Sequence, residues 1–379
     1  MGGISYHMNI YDHVKNLSDK RVHDKFRLLR DEFNLLNEKE LLQSWTFDMV
    51  DKDHKMVRQF QESFHSCFWE FYLFAVFKEL GFILDQSHQI PDFIVRAPSK
   101  FYVEAVVSNI KESGKKESLR NICDIYDLLI PPYMYDKFYS DLDESITRAS
   151  NSLNIKLSKY KSEYSCNYGW INNNLPFVIA ICSFDQINYG REYIYSMFAL
   201  LYGAYYDTYS NGYEHRDSII KPGTKDSTIP LGVFVNNSTK DEYSDISAVI
   251  FSCSLTLGKL TSLTISEGKK SFNRVSLIRK NILENYYYIQ NVSDLSPEQL
   301  SDGLFVFHNP NAKNKLDENL FINSAVTQFY YENNEINVNG NMCPIVVRHN
   351  IPSFLDEYDN LIVQDAVQKY NMLSLAEFS

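Results

Sequence analysis

Asp92 and Glu104 are the two residues of this chain best placed to do chemistry together. They bound the segment Asp92-Phe93-Ile94-Val95-Arg96-Ala97-Pro98-Ser99-Lys100-Phe101-Tyr102-Val103-Glu104, which follows Pro91 and reads as a hairpin folded about Pro98. In that register Asp92 falls opposite Glu104. Phe93 faces Val103 and Val95 faces Phe101 on an apolar side, while Asp92/Glu104, Ile94/Tyr102 and Arg96/Lys100 share the other, which is expected to be solvated. Opposed residues of an antiparallel pair lie about 4.5 to 5.5 Å apart at Cα, and like charges placed so destabilise the pair unless a cation sits between them. The two carboxylates are therefore a candidate divalent-metal site. A third acid, Glu70, interrupts the aromatic run Phe68-Trp69-Glu70-Phe71-Tyr72. An acid among such neighbours either points outward from a helix edge or is held by a cation.

The elements that must position these acids follow from periodicity. Apolar residues recur at three and four positions from Asp12 to about Asp53, which predicts a helical N-terminal region over residues 8–54. A longer helix is expected from Lys55 to Leu80, with Gly81 ending it. A short strand at Phe82 to Asp85 and the hairpin come next, then a helix from Ser140 to Tyr164. Leu175 to Phe184 is a continuous apolar run of strand length, the pattern of a strand buried on both faces. A helix is expected from Arg191 to Tyr206, a loop from Ser210 to Thr228, and strands at Leu231–Val235, Ile246–Ser254, Leu304–Phe307 and Ile345–Arg348. The chain divides on this reading into residues 8–54, a core of 55–210, and 211–379 as an α/β extension of the core or a second lobe. Residues Met1 to His7 read as an appended leader ahead of a start at Met8.

The order helix with Glu70, then Pro91-Asp92, then Glu104 on the next strand, then helix and buried strand resembles the core of the PD-(D/E)xK nuclease superfamily, across about Lys55 to Phe184. The resemblance implies a restriction-endonuclease-like α/β fold: a mixed central sheet flanked by helices, here with a helical lead-in and a decorated C-terminal half. It also implies Mg²⁺- or Mn²⁺-dependent hydrolysis of phosphodiester bonds in nucleic acid, DNA rather than RNA, in restriction, phage defence, mobile elements or repair. Residue by residue, Asp92 matches the motif Asp, Glu104 the strand Glu and Glu70 the helix Glu, so these three would hold the metal. Hard oxygen ligands suit Mg²⁺, which keeps several waters. Where the motif has Lys two residues after the Glu, this chain has Val106. One reading moves the lysine to the Ser140–Tyr164 helix, which carries Arg148, Lys156 and Lys159, with Lys156 preferred as the catalytic cation. The alternative is a catalytically silent nuclease-like domain serving as a binding or assembly module. A further reading, an aromatic-rich subunit of a larger complex, makes the hairpin an ordinary core element.

Bulk properties limit the partners. With 379 residues and a net charge of −11, the chain does not hold nucleic acid by general basicity, although a local basic groove is compatible with it. Six scattered cysteines form no CxxC pair, which argues against a zinc ribbon or a disulfide scaffold and fits a reducing cytoplasm. No run reaches the roughly 20 apolar residues of a membrane span. A homodimer or a protein partner is compatible with the composition, but no residue identifies an interface. His65 and Cys67 face different ways on a helix, and Pro222 to Ser227 lacks the glycine spacing of a phosphate loop. His308 to Lys313 reads as an Asn-Pro turn, and the many Tyr and Phe residues as compositional bias.

Overall fold

The structure, a computed structural model, describes residues 8–109, 119–184, 190–210 and 212–374. Residues Met1–His7, expected to be an appended leader, lie outside the described residues. The helices are α1 (Asp24–Asp31), α2 (Leu36–Trp45), α3 (Met56–Glu62), α4 (Phe64–Glu79), α5 (Ile122–Asp127), α6 (Phe138–Lys159), α7 (Ser165–Asn167), α8 (Tyr195–Tyr202), α9 (Leu257–Ser266) and α10 (Asp356–Ser374). An eight-stranded sheet runs through the middle, in the order β1 (Ile83–Asp85), β2 (Phe93–Ala97), β3 (Phe101–Asn109), β4 (Phe177–Phe184), β9 (Ala248–Ser252), β12 (Phe305–His308), β13 (Thr327–Glu332) and β14 (Glu335–Gly340). Two small hairpins, β5 (Ala204–Asp207) with β6 (Gly212–His215) and β7 (Ser218–Ile220) with β8 (Thr228–Pro230), stand apart from it. So does a three-stranded sheet of β10 (Asn273–Asn281), β11 (Tyr286–Asn291) and β15 (Ile345–Pro352).

The large sheet is mixed: β1, β2 and β3 pair antiparallel, whereas β3, β4 and β9 run parallel. Every residue of β4 is buried, as its unbroken apolar sequence requires of a strand covered on both faces. On one face lie α1 to α4, with Phe26, Phe64, Phe68 and Phe77 packed against Phe93, Val95, Phe101 and Val103. On the other lie α6, α8 and α10, whose Leu153, Leu157, Phe198 and Val363 meet Ile94, Tyr102, Ile179 and Phe305. Strands from the C-terminal half continue the sheet begun by the hairpin. No helix among the described residues is long and apolar enough to cross a membrane.

Five expectations are corrected. The second face of the hairpin is solvated only at its tip, at Arg96 and Lys100, because α6 covers Ile94 and Tyr102, each 2 % exposed. The helix expected from Lys55 to Leu80 is two helices broken at Ser63. The Gln61 carbonyl that a continuous helix would give to residue 65 accepts the His23 N–H instead (2.8 Å), tying the N-terminal segment to the break. The helix expected from Arg191 to Tyr206 is only α8, ended by Gly203 at a φ of +75°, where a side chain would be strained. Leu231 to Val235 is a buried turn rather than a strand: the amides of Gly232, Val233 and Phe234 satisfy the carbonyls of Ala199, Leu200 and Leu201 at the end of α8. The loop expected from Ser210 to Thr228 contains β6 and β7 and reaches the first residue of β8.

Candidate active site

The hairpin register is the expected one: Phe93 opposes Val103, Ile94 opposes Tyr102 and Val95 opposes Phe101. Beyond Val103 the two strands part company. β3 continues to Asn109 paired with β4 alone on its other edge, so from Glu104 onward it lacks ladder partners from β2. Asp92 compensates, its Oδ2 accepting the Ala105 N–H at 2.7 Å. A cleft of about 340 Å³ opens at this point, with Glu70, Asp92, Val106 and Lys156 in its walls. A second opening of about 300 Å³, toward Lys52, Gln59 and Gln86, is also walled by Glu70 and Asp92. The two acids thus stand between the openings.

Glu70 is delivered by α4, a helix apolar on nearly all sides because the sheet covers one flank and α1 to α3 the other. Trp69, beside it, anchors the helix by donating its indole N–H to the Ala180 carbonyl of β4 at 3.0 Å. Lys156 comes from the opposite face of the sheet, on α6, and its Nζ lies 2.8 Å from Glu104 Oε1. The Tyr164 hydroxyl donates to the same oxygen at 2.9 Å. Tyr164 follows Lys156 by eight residues, which in a regular α-helix would leave it about 80° around the axis from the lysine. The last turn is a π-turn, Tyr160–Tyr164, whose wider winding slows that rotation and returns the tyrosine to the face of the lysine. Lys159, the other expected candidate, sits over the Tyr164 ring (5.3 Å to its centroid), and Arg148 pairs with Glu144 at 3.0 Å.

The charges are unevenly satisfied. Glu104 is 3 % exposed, and its Oε2 is buried with no hydrogen-bond partner. Burial first, then repulsion by Glu104, raise Asp92 to about 7, against attraction from Lys156. Burial first, then repulsion by Asp92, raise Glu70 to about 8. Burial pushes the Lys156 ammonium down, but Glu104, Asp92 and Glu70 outweigh it and hold the group above its ordinary value. Burial pushes Lys52, on the side of the second opening, below its usual value against the pull of Asp92, Asp85 and Glu70. The cluster is therefore an excess of carboxylates around one well-placed ammonium.

These properties fit a divalent cation. Glu104 Oε2 is a hard anionic oxygen in need of a partner, and a cation nearby would reverse the shifts of Asp92 and Glu70. Among the described residues no three His, Cys, Asp or Glu side chains converge as a ready metal cage. Mg²⁺ needs none, since it is commonly held by one or two carboxylates, with water and substrate phosphate completing its shell.

The structure brings together Glu70, Asp92, Glu104 and Lys156. Tyr164 and Lys52 escape a reading of the sequence, the first because its phase depends on the π-turn, the second because it falls in the irregular stretch between α2 and α3, where the sequence reads as the end of a helical region. No family model, no curated protein and no solved structure matches this chain.

Proposed function

We propose that this chain is a metal-dependent phosphodiesterase acting on nucleic acid, DNA in preference to RNA, built on a restriction-endonuclease-like core. The carrying observation is the ammonium of Lys156 at 2.8 Å from Glu104, supplied by a helix rather than by the strand position that Val106 occupies. The order α4, β1, β2, β3, α6, β4, with β3 and β4 parallel, supports the fold assignment. A cation held by Asp92 and Glu104, with Glu70 beside them, would supply charge neutralisation at a phosphate and a water made acidic enough to act as nucleophile near neutral pH. The remaining roles belong to the side chains. Lys156 places a positive charge where negative charge grows on the phosphoryl oxygens and orients the attacking water. Tyr164 holds the shared Glu104 oxygen, leaving Oε2 for the cation. Asp92, braced by the Ala105 amide, keeps one oxygen fixed.

The test is Mg²⁺-dependent cleavage of DNA by the parent, Asp92→Asn and Lys156→Met. Both variants are expected to retain the fold and lose activity, Lys156→Met by about 10²- to 10³-fold, the cost of removing one preorganised donor. Equal cleavage by parent and variants would refute the assignment.

A second reading keeps the fold without the chemistry. Val106 and the closed Lys156–Glu104 pair favour it, because an ammonium can serve as permanent counter-ion to a buried acid. In that case Mg²⁺ or Mn²⁺ would bind the parent and Asp92→Asn alike.

A further inference from the structure

The parallel strands β4 and β9 end beside a small cavity of about 50 Å³ that shares no lining residue with the acid cleft. Its walls carry Arg120, Arg191 and Arg348 with Ser254, Thr256 and Tyr193, and no carboxylate among the described residues. In a chain of net charge −11 such a lining is unusual. Arg348 is committed, donating to Glu298 (3.0 Å from Nε) and to the Ser254 carbonyl. Arg191 is not. It is 6 % exposed, gives Nη2 to the Asp127 carbonyl and lies 3.6 Å over the Tyr135 ring, yet its Nε and Nη1 are buried without a hydrogen-bond partner. Buried N–H groups of a charged side chain are rarely left bare, and a missing ion or water is the usual reason. α9 begins at the same place, with Thr256 as its N-cap, accepting the Gly258 N–H at 3.2 Å. The positive end of that helix adds to the field of the guanidinium. The crevice outside the carboxyl ends of parallel strands is also where open α/β sheets take their ligands.

One buried water needs roughly 10 to 15 Å³ of such space, so the cavity suits a group of a few heavy atoms, as a tetrahedral oxyanion is. A larger space of about 600 Å³, bordered by Leu28, Ile122 and Ile125, shares Arg120, Thr256 and Arg348 with it. That outer space is mainly apolar and of a size that holds an organic ligand.

We propose that these joined cavities bind a phosphomonoester, its phosphate on the bare N–H groups of Arg191 at the start of α9 and its organic body in the outer space. The proposal does not depend on the acid cleft. Thermal unfolding of the intact chain tests it, in inorganic phosphate, adenosine 5′-monophosphate or adenosine, against chloride at equal ionic strength. Phosphate and the monophosphate are expected to raise the midpoint, the monophosphate at tenfold or more lower concentration, and adenosine is not. Arg191→Met should abolish the shift. Arg191→Lys, which keeps the charge but loses the planar fork, should weaken binding at least tenfold and secures the test if the methionine variant does not fold. A 5′-phosphorylated oligonucleotide that binds more tightly than the monophosphate would identify a nucleic-acid end as the source of the phosphate, and the reverse order a free phosphomonoester; both support the site. No shift beyond chloride, or an unchanged shift in Arg191→Lys, would overturn it.

Discussion

The raised acids of the cleft make stability a readout of the site without any substrate. Burial and Asp92 move Glu70 from an ordinary value of 4.5 to about 8. A carboxyl raised in the folded state holds a proton that the unfolded chain has already released, so the protein loses stability as pH climbs from the unfolded value toward the folded one. One such proton costs about 1.4 kcal/mol per pH unit, or about 4 kcal/mol between pH 5 and pH 8. Asp92, moved from 3.8 to about 7, acts with the same sign over a slightly lower window. Replacing Glu70 with Gln removes the titration while keeping shape and polarity. With a chelator present, Glu70→Gln is expected to match the parent near pH 4 and to exceed it by up to about 4 kcal/mol at pH 8. Urea unfolding at several pH values measures this as a midpoint difference at constant slope. Mg²⁺ added at pH 8 should stabilise the parent more than the variant. A parent-to-variant difference that stays constant from pH 4 to pH 8 would refute the charge reasoning, and with it the case for a cation site.

Two further outcomes follow from named contacts. Tyr164→Phe removes one of the two donors to Glu104 Oε1, and is expected to cost about 1 kcal/mol in urea unfolding and about tenfold in single-turnover cleavage, less than Lys156→Met because the lysine remains. Lys259→Met leaves Glu298 with Arg348 as its one direct ion-pair partner among the described residues, in a fully buried cluster, and should destabilise by about 3 to 5 kcal/mol in urea unfolding without altering metal-dependent cleavage in the folded fraction.

What could be read from the sequence was what local pattern determines. Alternation about Pro98 gave the hairpin register, and the apolar run at Leu175 to Phe184 gave β4, because side-chain period and burial are encoded over a few neighbouring residues. Lys156 came from the family resemblance and not from the pattern along α6, and the structure sets it against Glu104. Local pattern went astray where distant segments compete for backbone groups: His23 takes a carbonyl that would have carried the helix through Ser63, and Gly232 to Phe234 spend their amides on α8 instead of on a strand partner. The covered second face of the hairpin depends on α6 returning across it, a long-range event that alternation cannot report. Tyr164 needed the winding of one turn, which no spacing rule anticipates.

The hydrogen bond from Trp69 to Ala180 spans 111 positions of chain. The helix bearing Glu70 is therefore fastened to a strand that leaves the ribosome long after it, and Lys156 arrives in between. At about 5 to 20 residues per second, the interval is roughly 5 to 20 s. Until then the acids and their counter-ion belong to separate pieces of an unfinished polypeptide. A nascent chain thus carries the acid of α4 through that interval before the strand that fastens its helix has been made.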